Sequence, residues 1–198
     1  MGITHGLKEK DIPKYIKQIQ NLNLKFQNHN AKFKILSGAE VNILADGSLD
    51  ISNKTLAKLD LVIASIHSGF RQSREKITAR VIKAIQNPNV DVIAHQLGRL
   101  IEKRQPLNLD WQKIFRSAGQ YNVAMEINCH PDRLDLNDQL IRMAKDFGIK
   151  FVISTDSHHS LHFQNMRYGV AMARRGWLEK NDVLNCYTLQ QLLTSIKK

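Results

Sequence analysis

The sequence predicts an α/β fold in which about five parallel strands are arranged as a barrel. Short apolar runs alternate with helical segments at intervals of roughly thirty residues, which is the pattern of successive βα units. Each apolar run also leads to, or carries, a residue that can bind a metal, and such residues meet at the carboxyl-terminal rim of a parallel barrel. Because five strands are few for a closed barrel and the chain opens with a helix, we expect an opening βα segment to be missing.

Helices are predicted where apolar residues recur at spacings of three and four, as Ile12, Ile16 and Ile19 do near the N-terminus. Their boundaries carry the usual signals, since Asp110 can cap the start of one helix and Gly148 can end another. The predicted helices cover residues 8–28, 56–59, 73–86, a stretch following Asp110, residues 137–147, and two or three C-terminal segments.

Strands are predicted where short apolar runs stand between turn signals such as Asp46-Gly47-Ser48. The fourth predicted strand carries polar residues of its own, Glu126 and Asn128. The first predicted strand begins at Ile35-Leu36, within the apolar run 33–37, and continues into Gly38-Ala39-Glu40. The other predicted strands cover residues 61–66, 90–94, 123–128 and 151–155.

Composition places the chain among globular proteins of a reducing compartment. Its 198 residues are enough for one domain with a sizeable core. No apolar run approaches the roughly 20 residues that span a membrane, and the first residues lack a signal-peptide pattern. Two cysteines, Cys129 and Cys186, provide no disulfide framework, so we expect a cytoplasmic location.

The charge balance favours an anionic partner. The chain carries 29 Lys and Arg against 18 Asp and Glu, a formal net charge of +11. Such a balance favours polyanions, with nucleic acid foremost, although a basic solvated surface without a specific partner has the same composition. Charge alone leaves these two interpretations open.

Five residues form a candidate metal site. Taken singly, a glutamate in a loop is usually in a surface ion pair, and a histidine is usually packed or solvated. Their recurrence after successive strands favours a shared site, and imidazole with carboxylate suits Zn, Mn or Fe better than Ca or Mg. In an extended segment, positions i and i+2 point to the same side, so Asp156 and His158 can enter one pocket. The candidate ligands are Glu40, His67, His95, Asp156 and His158.

These motifs resemble the PHP (polymerase and histidinol phosphatase) domain, in the version at the C-terminus of bacterial family X DNA polymerases. The resemblance covers nearly the whole chain. The motifs that carry it are Gly38-Ala39-Glu40-Val41, Ala64-Ser65-Ile66-His67-Ser68-Gly69-Phe70, Ala94-His95 with Gly98-Arg99, Glu126-Ile127-Asn128, Pro131-Asp132-Arg133-Leu134-Asp135-Leu136, Thr155-Asp156-Ser157-His158 and Arg167-Tyr168-Gly169-Val170-Ala171.

The resemblance implies a single PHP-type metallophosphoesterase domain over residues 1–198, with a distorted TIM-like barrel and up to three Zn or Mn ions. It implies hydrolysis of phosphoesters at DNA ends, as a 3′-5′ exonuclease or phosphatase. Catalytic roles fall to Glu40 and Asp156, both also metal ligands, and Cys129 is expected near the metal cluster. Arg99 and Arg133, which lie inside the motifs, are expected to bind phosphate or DNA.

The chain also departs from this family. The family begins with a His-x-His strand that would precede Met1, so we expect the first βα segment to be missing. Gln96 stands where the family commonly has proline. We therefore expect fewer than three metals, weak or no activity of this chain alone, and self-association through an open barrel edge. A polymerase domain, covalent or separate, is the expected upstream partner.

Two other functions remain open from the sequence. One is a degenerate PHP module that binds DNA or a protein without catalysis, which the missing histidines favour. The other is a small-molecule phosphatase of the histidinol-phosphatase type, against which the net charge of +11 argues.

Overall fold

The computed structural model describes residues 6–28 and 33–196, and it contains a sheet of five parallel strands. The strands are β1 (Gly38–Asn42), β2 (Leu61–Ser65), β3 (Val92–Ile93), β4 (Ala124–Asn128) and β5 (Phe151–Ser154). They lie in the sheet in the same order as in the sequence. Such singly wound order is that of a (βα) barrel, whereas a doubly wound sheet reverses its order near the middle. The predicted α/β class is confirmed.

Helices precede the first strand, connect the strands and follow the last of them. They are α1 (Ile12–Asn28), α2 (Asn53–Leu56), α3 (Arg74–Ile85), α4 (Trp111–Tyr121), α5 (Asp138–Lys145), α6 (Met166–Arg175) and α7 (Leu189–Ser195). Short 3-10 helices cover Glu9–Asp11, Ser160–Asn165, Lys180–Asp182 and Leu184–Cys186. Asp110 caps α4 as predicted, since its side chain accepts a hydrogen bond from Lys113 N at 3.2 Å. Within the described ranges, no helix has both the length and the apolar character needed to cross a membrane.

The main core lies between the sheet and the helices that connect its strands. All five residues of β4 are buried, as expected of a central parallel strand that is covered on both faces. Helix α3 buries Ile77 and Val81 in this core, and α4 buries Ile114 and Phe115. Burial of apolar side chains therefore stabilises the sheet, and polar side chains lie at its carboxyl-terminal rim.

The first strand begins later than predicted. It covers Gly38–Asn42 and does not begin at Ile35, so Glu40 lies in the middle of the strand. The side chain of Asn23 explains the difference, because it donates to Ile35 O and accepts from Ile35 N, both at 2.8 Å. The peptide groups of Ile35 are thus taken up by α1, and pairing with β2 starts only at Gly38, opposite Leu61.

The outer edge of β1 is bonded to side chains. The Tyr15 hydroxyl donates to Gly38 O at 3.1 Å and accepts from Gly38 N at 3.4 Å. Asn42 N donates to the Asp50 carboxylate at 2.9 Å, and Asp50 N donates to Asn42 O at 3.1 Å. The edge that we expected to be open is therefore partly satisfied within the chain, which reduces its tendency to pair with another strand.

A side chain also forms hydrogen bonds with the outer edge of β5. The Asn185 side chain accepts from Ile153 N at 2.8 Å and donates to Ile153 O at 2.9 Å. An isolated bridge also joins Phe151 to Val183. Through the described residues the sheet does not close into a barrel, and its two edges are β1 and β5.

A buried arginine ties together the segments that follow β1 and β2. Arg80 of α3 is only 2% exposed, and it donates to Ile43 O, to Ser68 O at 2.9 Å and to the Gln72 side chain at 3.2 Å. Ile43 follows β1 directly, and Ser68 lies three residues beyond β2. Arg80 therefore fixes the spacing of the two strand ends at the rim.

Replacing this guanidinium should destabilise the fold. We expect Arg80→Leu to lower the free energy of unfolding by about 2–3 kcal/mol, because buried carbonyls lose their hydrogen-bond donors. Urea denaturation followed by circular dichroism measures the change. The matched control is Arg116→Leu, at an exposed position of α4, which should change stability by less than about 0.5 kcal/mol. Equal stability of the two variants would contradict the role given to Arg80.

Candidate metal site

Three of the predicted ligands come together at the rim. Glu40 lies in β1, His67 follows β2 by two residues and His95 follows β3 by two residues. Since β1, β2 and β3 are neighbours in the sheet, their carboxyl ends place these side chains next to one another. One ligand atom from each of the three residues lies within 4.8 Å of the others. Glu40, His67 and His95 are called the triad below.

The triad converges on one carboxylate oxygen. Glu40 Oε1 lies 2.8 Å from His95 Nε2 and 3.3 Å from His67 Nε2, and Ser65 Oγ donates to it at 2.7 Å. A tetrahedral zinc ion with bonds of about 2.0–2.2 Å holds its ligand atoms roughly 3.3 Å apart. One carboxylate and two imidazoles thus fit a three-ligand site with a fourth position open, the pattern of catalytic zinc.

A chain of side chains sets the tautomer of His67. The Asn42 amide nitrogen donates to Asp50, which directs its oxygen toward His67 Nδ1 at 2.7 Å. The Asn42 oxygen therefore accepts the Nδ1 proton, which leaves Nε2, the ring nitrogen nearest Glu40, as the atom that can bind a metal. A histidine that binds a metal through Nε2 usually donates its other ring proton in this way.

His95 is held by Glu126, which sequence reasoning did not assign to the site. His95 adopts φ 29°, in the left-handed region, and its backbone N–H donates to Glu126 Oε2 at 2.7 Å. Glu126 also accepts from the side chains of Ser154 and Asn128. Its carboxyl is buried in β4, which raises its pKa. An acid inside an otherwise apolar strand was the signal in the sequence.

The charges of the triad are coupled. Burial acts to raise the pKa of the Glu40 carboxyl, but hydrogen bonds from His67 and His95 outweigh it, and the pKa is lowered. Burial alone would lower the pKa of His95, yet the bond to Glu40 and the nearby Glu126 carboxyl raise it. Without a metal, the His95 imidazole therefore keeps its proton to a higher pH than an ordinary histidine.

Asp156 and His158 are not part of the triad. Asp156 has φ 49°, so the backbone leaves the extended conformation there, and His158 Nδ1 lies 3.8 Å from Asp156 Oδ1. The Asp156 side chain is 19% exposed, while that of His158 is 80% exposed and bonds the Asp156 carbonyl through Nδ1 at 2.9 Å. Asp156 is linked to the triad indirectly, since Asn128 Nδ2 lies 3.3 Å from both Asp156 and Glu126.

The two candidate phosphate-binding arginines differ in their surroundings. Arg133 Nε lies 3.5 Å from Asp156 Oδ2, and its Nη1 is buried without a hydrogen-bond partner in the described part of the chain. Arg99 donates instead to the main-chain oxygens of Arg133, at 2.6 Å, and of Leu134. Arg99 therefore holds the loop that carries Arg133.

Cys129 packs beneath helix α6. Its sulfur is buried and lies so close to Gly169 that a Cβ atom at that position would be 2.2 Å away. Burial raises the pKa of the Cys129 thiol to about 11. The thiol is therefore neutral, and glycine at position 169 lets α6 approach β4.

Removing the support of His67 should weaken metal binding. We expect Asn42→Ala to lower the affinity for Zn by about 10-fold or more, because the imidazole loses the partner that fixes its tautomer. Competition with a chromogenic chelator measures the affinity. The control is Asn53→Ala, in α2 and outside the site, which should bind as the unmodified chain does. Equal affinities for all three proteins would contradict the role of Asn42.

Metal binding should strengthen as the pH rises. His95 has a raised pKa in the empty site, so a metal must displace its proton at low pH and meets no such competition at high pH. Calorimetry in buffers of different ionisation enthalpy, at about pH 6 and about pH 8, measures the released protons. We expect tighter binding and less proton release at the higher pH. The same affinity and proton release at both would contradict this expectation.

Comparisons with known proteins agree with the motifs. No protein-family model matches the sequence. Over 198 residues the chain is 39% identical to "DNA polymerase/3'-5' exonuclease PolX" of Bacillus subtilis (strain 168), covering all of this chain and 34% of that protein. It is 31% identical over 162 residues to a "Probable phosphatase" of Thermoanaerobacter sp. (strain X514), covering 77% of this chain and 64% of the relative. The chain thus spans about a third of the first relative and less than two thirds of the second.

A solved structure shares the fold. It is histidinol phosphate phosphatase from Lactococcus lactis subsp. lactis, complexed with zinc, L-histidinol and phosphate. The TM-score is 0.59 at 18% identity, over 90% of this chain and 78% of the other. The similarity to a PolX protein and the shared fold both point to a PHP-type domain, in agreement with the motifs that first indicated that resemblance.

Proposed function

We propose that the chain is a metal-dependent phosphoester hydrolase that acts on DNA ends, as the PHP module of a family X DNA polymerase. The triad carries this proposal, because one carboxylate and two imidazoles converge and leave a coordination position for substrate or water. The relative named as a polymerase and 3′-5′ exonuclease supports DNA as the substrate class. The net charge of +11 favours the same anionic substrate.

Different side chains have different roles in the proposed hydrolysis. A divalent cation, Zn or Mn, supplies a Lewis acid that polarises the phosphoryl group and lowers the pKa of water. The triad would hold that cation, with Glu40 as the shared carboxylate. Arg133 would orient the phosphate, and Arg99 would keep Arg133 in place through the loop. Cys129 is not a nucleophile in this scheme because its thiol is neutral.

Asp156 and His158 are proposed as ligands of further metals in the intact domain. They lie at the same rim but lack a third protein ligand in the described residues. One or two protein ligands seldom hold a metal tightly. We therefore propose a single domain in which only the triad is well occupied and hydrolysis by the chain alone is weak.

A non-catalytic module is the second candidate. His158 lies outside the triad, which favours this candidate, because a site with fewer metals supplies less catalysis while basic side chains can still bind DNA. A cytoplasmic location, an associated polymerase domain and self-association through β1 belong to both candidates. The hydrogen bonds that Tyr15 and Asp50 make to β1 limit the last of these.

Hydrolysis and metal content separate the two candidates. With Mn or Zn, the chain should slowly hydrolyse a 3′-end-labelled oligonucleotide under single-turnover conditions, and chelator should stop the reaction. Glu40→Gln should reduce the rate roughly a hundred-fold or more, because the triad loses its carboxylate. Glu75→Gln, an exposed acid of α3, should leave it unchanged.

The same measurements show which results would contradict the proposed function. Undiminished hydrolysis in excess chelator would rule out the metal mechanism. Stoichiometric metal binding without any hydrolysis would favour the non-catalytic module. Three tightly bound metals with robust turnover would overturn the account of Asp156 and His158. Preference for histidinol phosphate over DNA would favour a small-molecule phosphatase.

A further inference from the structure

A second group of histidines lies at the rim, outside the triad. His130 follows β4, and His159 and His162 follow β5. The ring centroids of His130 and His162 are 5.6 Å apart, and those of His159 and His162 are 6.2 Å apart. The three are called the rim histidines below. Because β4 and β5 are parallel neighbours, these residues share the end of the sheet that carries Asp156.

The rim histidines use their Nδ1 atoms as acceptors. His130 Nδ1 accepts from Asp132 N at 3.3 Å, and His162 Nδ1 accepts from His158 N at 3.2 Å. His159 Nδ1 accepts from Leu161 N at 3.3 Å. A neutral imidazole that accepts at Nδ1 carries its proton on Nε2, so these rings present N–H donors.

This tautomer is the opposite of the one in the triad. His67 donates from Nδ1, which leaves Nε2 as the nitrogen that can bind a metal. The rim histidines offer Nε2–H, which suits an anion such as a phosphodiester oxygen. The ring centroids of His67 and His95 are 5.1 Å apart, close to the spacing of the rim histidines. The hydrogen bonding of the rim histidines nevertheless selects a different ligand.

Exposed apolar side chains flank these donors. Leu161 and Phe163 lie on either side of His162 in the 3-10 helix Ser160–Asn165, and they are 63% and 68% exposed. Single exposed apolar residues are common on protein surfaces. An exposed ring beside N–H donors is a more specific combination, because nucleic acid offers both a stacking face and phosphate oxygens.

We propose that the rim histidines and Phe163 bind an unpaired nucleic-acid strand and lead it to the triad. The imidazole N–H groups donate to phosphodiester oxygens, and a base stacks on Phe163. A base inside a duplex has both faces covered, so an unpaired strand fits this surface better. The inference rests on the proposed function and assigns it a surface that binds the strand beside the triad.

The first test measures binding without hydrolysis. A fluorescein-labelled oligothymidylate of about twenty nucleotides is titrated with the chain in EDTA, and anisotropy reports the affinity. Phe163→Ala should weaken binding about five-fold or more, the effect of losing one stacked base. Phe33→Ala is the matched control, since Phe33 is 62% exposed and precedes β1 at the opposite end of the sheet. Equal binding by both variants would overturn the proposal.

The second test separates N–H donors from metal ligands. The double variant His130→Ala, His162→Ala should lose affinity for the oligonucleotide. His130→Gln with His162→Gln should retain most of it, because glutamine keeps an N–H donor near the position of Nε2. Equal loss in both double variants would overturn the role of the donors. A zinc equivalent that disappears in both would show the rim histidines to be a metal site instead.

A competition experiment addresses strand preference. An unlabelled blunt duplex should displace the labelled oligothymidylate at least ten-fold less effectively than unlabelled oligothymidylate does. Equal displacement would overturn the preference for unpaired strands. These measurements are independent of hydrolysis, so a chain that binds through Phe163 but cleaves nothing contradicts the proposed function alone. Hydrolysis that is unaffected by Phe163→Ala contradicts this inference alone.

Discussion

The candidate site depends on one carboxylate oxygen. Glu40 Oε1 accepts a hydrogen bond from Ser65 Oγ at 2.7 Å, and it lies within 3.3 Å of a ring nitrogen of both His67 and His95. This convergence requires β1, β2 and β3 to be adjacent and in register, with Glu40 opposite Ile63. A shift of β1 by one residue would turn the Glu40 side chain to the other face of the sheet. Sheet register and candidate function are therefore set by the same contacts.

Polar groups around the triad hold its ligands in place. Asn42 fixes a ring proton of His67, and Glu126 fixes the backbone of His95 in a left-handed conformation. Arg80 ties down the segments after β1 and β2 from the side of α3. These residues lie behind the triad, and they make it a prearranged site, which reduces the reorganisation needed when a ligand binds.

The sequence predicted the fold class because apolar periodicity and turn signals act locally. It also predicted that Glu40, His67 and His95 would share a site, since ligand-type residues followed successive strands. It began β1 about three residues too early, because the hydrogen bond between Asn23 and Ile35 joins residues twelve positions apart. It did not predict that Glu126 holds the backbone of His95, and it did not predict the tautomers of the rim histidines. Both depend on which backbone N–H groups the fold places beside these side chains.

The central claim is that Glu40, His67 and His95 bind one metal ion together. X-ray absorption at the zinc edge, on the chain loaded with one equivalent of zinc, tests it most directly. The account predicts four-coordinate zinc with oxygen and nitrogen neighbours at about 2.0–2.2 Å and outer-shell scattering from two imidazoles. In the double variant His67→Ala, His95→Ala, that imidazole signal should vanish. Zinc bound with the same two-imidazole signal in the double variant would contradict the account.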